Sequence, residues 1–281
     1  MRYTLVSFLL ISLLGCKSLF SPGQEKNWIS LFNGKDLQGW DTYIGFDRDS
    51  IGNKLSDTPV GLNHDPLKVF SVIEKNGEKM IRISGENFGA ISTKAEYSNF
   101  HLQLKFKWGM LKWGQMKKRK KDSGLLYYST GSFGADYGAW MRSQEFQIEE
   151  GNVGDYWGVA GAIADAPVVK NKQGVLAYNF EGKMMTFSEN SEVGRHCIKQ
   201  GDAERPVGEW NTLDLYCSGD TSIHMVNGKI MMILFHSRQL EKGKQIPLTK
   251  GKIQLQSEGS EIFFKDIRTT SIVALPPQFL K

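Results

Sequence analysis

NFHLQLKFKWG, residues 99–109, decides the fold. Phe100, Leu102, Leu104, Phe106 and Trp108 occupy every second position, with His101, Gln103, Lys105 and Lys107 between them. Successive side chains of a strand point to opposite faces, so this pattern predicts a strand with one dry and one wet face. WNTLDLYCSGD (210–220) alternates similarly and closes on a Ser-Gly-Asp turn. In TSIHMVNGKIMMILF (221–235), Asn227-Gly228 sits between two apolar runs. That dipeptide tolerates the two positive φ angles of a tight hairpin turn. GKIQLQSEG (251–259) and SEIFFKDIRTTSIV (260–273) predict two further strands. No long segment carries a clean helical period, and neither a repeat nor a composition break marks a second domain. The expectation is an all-β sandwich of two antiparallel sheets with few short helices. Segments 41–68, 108–123 and 150–200 read as long irregular connections, which in a compact domain are functional or poorly ordered.

The chain has 281 residues, enough for one large β domain with a sizeable core. Its net charge of +5 is mild and makes no case for nucleic acid. Residues 1–15 stand apart. Arg2 precedes the apolar run LVSFLLISLL, which is too short for a stable membrane span and reads as a signal peptide. LLGC then ends at Cys16, which looks like a bacterial lipobox: cleavage before the Cys and lipidation of its thiol. An ordinary signal peptide with a chance Cys is the alternative. Lys17, in place of an Asp, points to the outer membrane, with the periplasmic and surface faces both open. Residues 16–26 form the lipidated Cys and a short tether, and 27–281 a single domain. The expected location is the cell envelope, with the membrane contacted through the lipid anchor. Cys197 and Cys217 are left either to pair or to stay two separate thiols.

EFQIEEG (145–151) carries the candidate chemistry. On a strand, Phe146 and Ile148 enter the core while Glu145, Gln147 and Glu149 share the other face. Gln254, Gln256 and Glu258 form a second polar row opposite Ile253 and Leu255. If the two strands share a sheet, the rows face one surface.

At this point the chain resembles the bacterial 3-keto-disaccharide hydrolase domain family. The resemblance rests on WISLFNGKDLQGW (28–40), DSGLLYY (122–128), EFQIEEG, GVAGAIAD (158–165), GEWNTLDLYCSGDTSIHMVNG (208–228) and GKIQLQSEGSEIFFKDIRTTSI (251–272), in that order. It implies a concanavalin A-like jelly roll of the lectin and glucanase type. The chain departs from the common pattern in two places. Asp122-Ser123-Gly124 stands where family members often have Asn-Ser-Gly, and KWGMLKWGQMKKRKKD (107–122) is longer than the usual spacing.

The substrates so implied are glycosides oxidised to a ketone at C3. The ketone acidifies the C2 hydrogen, so a base can remove it, donors can hold the enolate, and the C1 oxygen can leave with help from an acid. Water then adds to the unsaturated product, and the net result is hydrolysis. Glu145 and Glu149 are the candidate acid and base. Arg142, Gln147, Gln256, Glu258 and His224 are candidate sugar or enolate ligands. Tyr127, Tyr128, Trp140 and Trp157 are candidate stacking platforms.

Two other readings stay open. EFQIE resembles the E-x-D-x-E strand of laminarinase-type glucanases, but Gln147 stands where the middle Asp would ionise. Residues i and i+4 start about 13 Å apart on a strand. A glycosidase carboxyl pair needs about 5–5.5 Å or roughly 6.5–9.5 Å, which inward-leaning side chains can reach. The other reading is a carbohydrate-binding jelly roll without catalysis. MKKRKK (116–121) reads as a solvated loop. No cofactor is expected, no Cys/His set has zinc spacing, and no loop array calls for a structural Ca²⁺.

Overall fold

The computed structural model describes residues 27–49 and 51–280. The expected signal, the lipidation site Cys16 and the tether lie outside these described residues. The strand predicted from 99–109 runs Phe100–Lys112 and lies inside a 12-stranded sheet. Its neighbours are Asn211–Ser218 on one side and Ser260–Ser271 on the other. The second sheet has eight strands, in the order His196–Cys197, Tyr156–Val159, Arg142–Glu149, Asp122–Thr130, Lys252–Ser257, Gly89–Thr93, Trp40–Arg48 and Lys54–Leu62. All of their ladders are antiparallel. The chain is therefore the two-sheet jelly-roll sandwich that the alternation and the resemblance led us to expect.

The dry face of each sheet meets the other. Phe100, Leu102, Leu104, Phe106 and Trp108 pack in one cluster with Leu125, Phe146, Ile148, Ile253 and Leu255. Each such side chain stabilises the fold by about 1.5–3 kcal/mol on full burial. The Asn227-Gly228 hairpin is present, with φ of 49° and 80° joining Thr221–Val226 to Lys229–Glu241. His101, expected on the wet face, is buried instead. Its Nε2 lies 2.7 Å from Asp214 Oδ1 and its ring stacks on Tyr216 at 3.8 Å. The C-terminal Phe279 in turn packs on Tyr216, so this face is covered.

Two segments read as irregular are largely strand. Within 41–68 lie Trp40–Arg48 and the edge strand Lys54–Leu62. The edge strand is mostly exposed and holds Pro59, so it has no apolar alternation to read. The 150–200 segment contains Tyr156–Val159, Ala162–Lys170, Leu176–Tyr178, Lys183–Phe187 and His196–Cys197, several too short for periodicity to register.

The helices among the described residues are 3₁₀ turns, Gly114–Lys118 and Pro277–Phe279. The first corrects the reading of MKKRKK. Lys117, Lys118 and Lys120 are exposed, but Met116 and Lys121 are buried. Lys121 Nζ donates to Gly109 O at 2.8 Å, and burial lowers its pKa. Cys197 and Cys217 are separate buried thiols in different sheets.

Candidate functional site

The face of the eight-stranded sheet turned away from the core carries the site. Glu145 lies opposite both Leu126 and Trp157, Gln147 opposite Gly124, and Glu149 opposite Asp122. Directly opposed residues share a face. On the far side of the Gly124 strand, Leu255 pairs with Leu125, which brings Gln256 beside Gly124. Glu145, Gln147, Trp157, Gln256 and Glu258 thus line one cleft of about 390 Å³, together with Asp122. Its walls come from the end of strand Trp40–Arg48, which brings Arg48, and from connections: Phe88, Trp113, Arg119, Asp136, Tyr137, Trp140 and Arg195 all reach it.

Gly124 is buried beneath two of the floor side chains. A Cβ built there would come 2.2 Å from Glu145 Oε1 and 2.9 Å from Gln256 Oε1. The two side chains lean into space that only a glycine leaves empty. Glu145 is almost fully buried, yet its carboxylate takes no hydrogen bond among the described residues. Asp122 Oδ1 and Gln256 Oε1 are themselves buried atoms without a partner among the described residues. Buried polar atoms are nearly always satisfied, so this set of acceptors awaits donors. Sugar hydroxyls are donors of the right kind.

Burial and mutual repulsion keep protons in this cluster. Asp122 is pushed up to about 8, first by burial and then by Glu149. Glu145 is raised well above the usual carboxylate range by burial and by Asp122, against the opposing pull of Arg195. Glu258 is raised by burial, Asp122 and Glu145. Carboxyls whose pKa is raised by burial hold a proton that they can give, and as bases are stronger than an exposed carboxylate. Arg195 does not form a direct pair with Glu145. Its Nη1 binds Asp136 at 2.8 Å and Glu189 at 3.2 Å. Its guanidinium lies 5.6 Å from the Trp157 ring centroid, and Trp157 stacks on His196 at 4.3 Å. Trp140 is held by a 2.9 Å bond from Nε1 to Gly89 O and stacks on Phe88. No group of three or more His, Cys, Asp or Glu among the described residues is arranged to hold a metal ion.

Five expected site residues are placed elsewhere. Tyr127 points into the sandwich, where its hydroxyl meets Ser222 Oγ at 2.7 Å and His224 Nε2 at 3.0 Å. The alternation explains it: Asp122, Gly124 and Leu126 take the cleft face, so Ser123, Leu125 and Tyr127 take the core. His224 is fully buried, stacked on Phe146 at 4.2 Å, and burial lowers its pKa to about 3. It is a core group, not a donor to substrate. Arg142 turns away to Ala160 O and Gln239 Oε1. Glu149 lies at the strand end and accepts from Asn152 Nδ2, outside the cleft lining. Tyr128 is also internal, with its hydroxyl on Gly219 O. Asp122, Asp136 and Arg195 were not read as site residues. Of these only Asp122 left a trace in the sequence, as the departure from Asn-Ser-Gly.

The domain model described as a 3-keto-alpha-glucoside-1,2-lyase-like domain matches residues 27–270. The chain belongs to that family. Its members' common pattern therefore frames the two local departures noted above. No curated protein matches the chain. Among solved structures, two candidate glycosyl hydrolases from Parabacteroides distasonis are similar. One is 22% identical over 87% of this chain and 99% of its own, with a TM-score of 0.48. The other is 17% identical over 87% and 94%, with a TM-score of 0.47. A carbohydrate-binding module from Bacillus subtilis is 12% identical over 83% and 96%, with a TM-score of 0.43.

Proposed function

We propose that the chain cleaves 3-keto-glycosides by elimination, with Glu145 as the proton-transfer residue and Asp122 as its partner. A carboxylate of this pair takes the C2 proton of the bound keto sugar. The electron pair moves through the C3 enolate, the C1–O bond breaks, and the departing oxygen receives a proton from a neutral carboxyl of the cluster. Water adding across the resulting C1–C2 double bond completes a net hydrolysis. Gln256 and Gln147 hold sugar hydroxyls, and Trp157 and Trp140 are the stacking surfaces. The observation that carries the reading is Glu145: buried, unpartnered and raised in pKa, in a cleft of the family's domain.

Glu149 stands outside the lining, which weighs against a glucanase-like Glu145/Glu149 pair. A bare binding module would favour a flat aromatic platform, whereas this cleft is concave and rich in carboxyls. The cellular setting belongs to the same proposal: an envelope enzyme held to a membrane through Cys16.

The test is aglycone release from matched 3-keto and unoxidised glucosides. Release from the keto sugar alone supports the proposal. Release from the plain glucoside would point to conventional hydrolysis, and binding without release to a module.

A further inference from the structure

The cleft has one wall with a charge that proton transfer does not use. Arg48 lines it from the end of strand Trp40–Arg48, and Arg119 from the 107–122 insertion. The two segments pack directly on each other. Gly52 and Gly114, at φ of 96° and 51°, sit so close that a Cβ on Gly114 would come 3.1 Å from the Gly52 Cα. The insertion is seated firmly. Trp113 Nε1 donates to Ser84 O at 2.9 Å, Met116 is buried beside Gly259, and Lys112 Nζ donates to Arg119 O.

Neither arginine forms an ion pair among the described residues, unlike Arg195 with its two carboxylates. Arg48 spends Nη1 on Gly52 O, and its guanidinium lies 4.8 Å from the Phe88 ring centroid. Its Nε is buried and has no acceptor among the described residues. The acids nearby do not fill that role. Asp49 is committed to its own turn through Ile51 N, Asn53 N and Asn53 Nδ2, and Glu86 pairs with neither arginine. An arginine offers a planar fork that matches a two-oxygen anion, so an unfilled Nε on a cleft wall marks a missing acceptor.

We infer that this wall binds an anionic substituent of the sugar, a carboxylate or a sulfate, through Arg48 and Arg119. The inference rests on the cleft being a sugar site, and it narrows the substrate from neutral to acidic glycosides. In this arrangement the anion sits at the arginine wall while the ring lies against the floor side chains Glu145 and Gln256.

Binding to the whole protein, followed by calorimetry or ligand NMR with methyl glucoside, methyl glucuronide and methyl glucoside 6-sulfate, tests it. None of the three is oxidised, so the outcome does not depend on the keto chemistry. At least one anionic sugar is expected to bind about tenfold or more tightly than the neutral one, as charge-assisted bonds allow. Which of the two prevails distinguishes a planar carboxylate from a tetrahedral sulfate. Arg119→Met, at an exposed position that does not threaten folding, and Arg48→Met are each expected to bring the preference to within about twofold. Equal affinity for all three sugars, binding of none, or a preference that survives both substitutions would overturn the inference. Aglycone release from a neutral 3-keto-glucoside without anionic preference would leave the proposed reaction standing and remove only this wall's role.

Discussion

Glu145 and Gln256 reach over Gly124 from the strands on either side of it, and a side chain at Gly124 would strike both. The relationship joins three separate segments of sequence into one floor. It also makes the site sensitive to substitutions that look conservative.

Gly124→Ala is the sharpest case. The added methyl overlaps Glu145 Oε1, so either the carboxylate or the strand must move. Overpacking of this kind costs about 1–3 kcal/mol. We expect a lowered melting temperature and a loss of turnover of roughly a hundredfold or more, since displaced catalytic groups lose alignment steeply. Turnover within a few-fold of the parent would show that Glu145 does not act from this position.

Glu145→Gln and Glu149→Gln should differ. Loss of the cleft carboxyl is expected to lower kcat on a 3-keto-glucoside by about 10²–10⁴, with KM changed much less. The Glu149 variant should retain turnover within about threefold, because that carboxyl lies outside the lining and acts only at a distance, through its charge on Asp122 and Glu258. Equal losses would mean the two carboxyls work as a pair.

Asp122→Asn bears on both stability and pH. The folded Asp122 holds its proton to about 8, whereas an unfolded Asp releases it near 3.8. The folded state therefore binds more protons between those values, and its stability falls as pH rises through that window. Asn carries no such penalty. The variant should be more stable at pH 8 by roughly 1–3 kcal/mol, with the gap closing below pH 4, as urea unfolding at several pH values would report. Removing Asp122 also removes a charge that raises Glu145, so any rise in rate with pH that follows Glu145 ionisation should move to lower pH.

His224 gives the opposite sign. Its folded pKa of about 3 lies below the unfolded value of 6.5, so stability is full above 6.5 and is lost as pH falls toward 3. His224→Phe removes the bond to the Tyr127 hydroxyl and should cost about 1–2 kcal/mol at pH 7. The deficit should shrink on acidification, and turnover should stay within about threefold. A hundredfold loss of turnover with folding intact would return His224 to the site.

The sandwich was legible in the sequence because a buried strand in an antiparallel sheet must alternate, and Phe100 to Trp108 do so without a break. Gln147, Gln256 and Glu258 were legible for the same reason, as the polar halves of two strands with apolar partners. Alternation fails where a strand has no core on either side, which is why Lys54–Leu62 read as loop. It also says which residues share a face, but not whether that face is wet, so Tyr127 and His224 passed for ligands although they lie inside the sandwich. Asp122 joins Glu145 and Glu258 only because the strands Asp122–Thr130, Arg142–Glu149 and Lys252–Ser257 are neighbours in one sheet. Arg119 and Arg195 come to the cleft from connections whose paths no local pattern specifies, and Arg48 from the end of a strand that the sequence pattern left unread. Periodicity is a property of neighbours along the chain. The raised carboxyl pKa values, the crowding over Gly124 and the arginine wall are properties of neighbours in space, set by sheet order and loop packing.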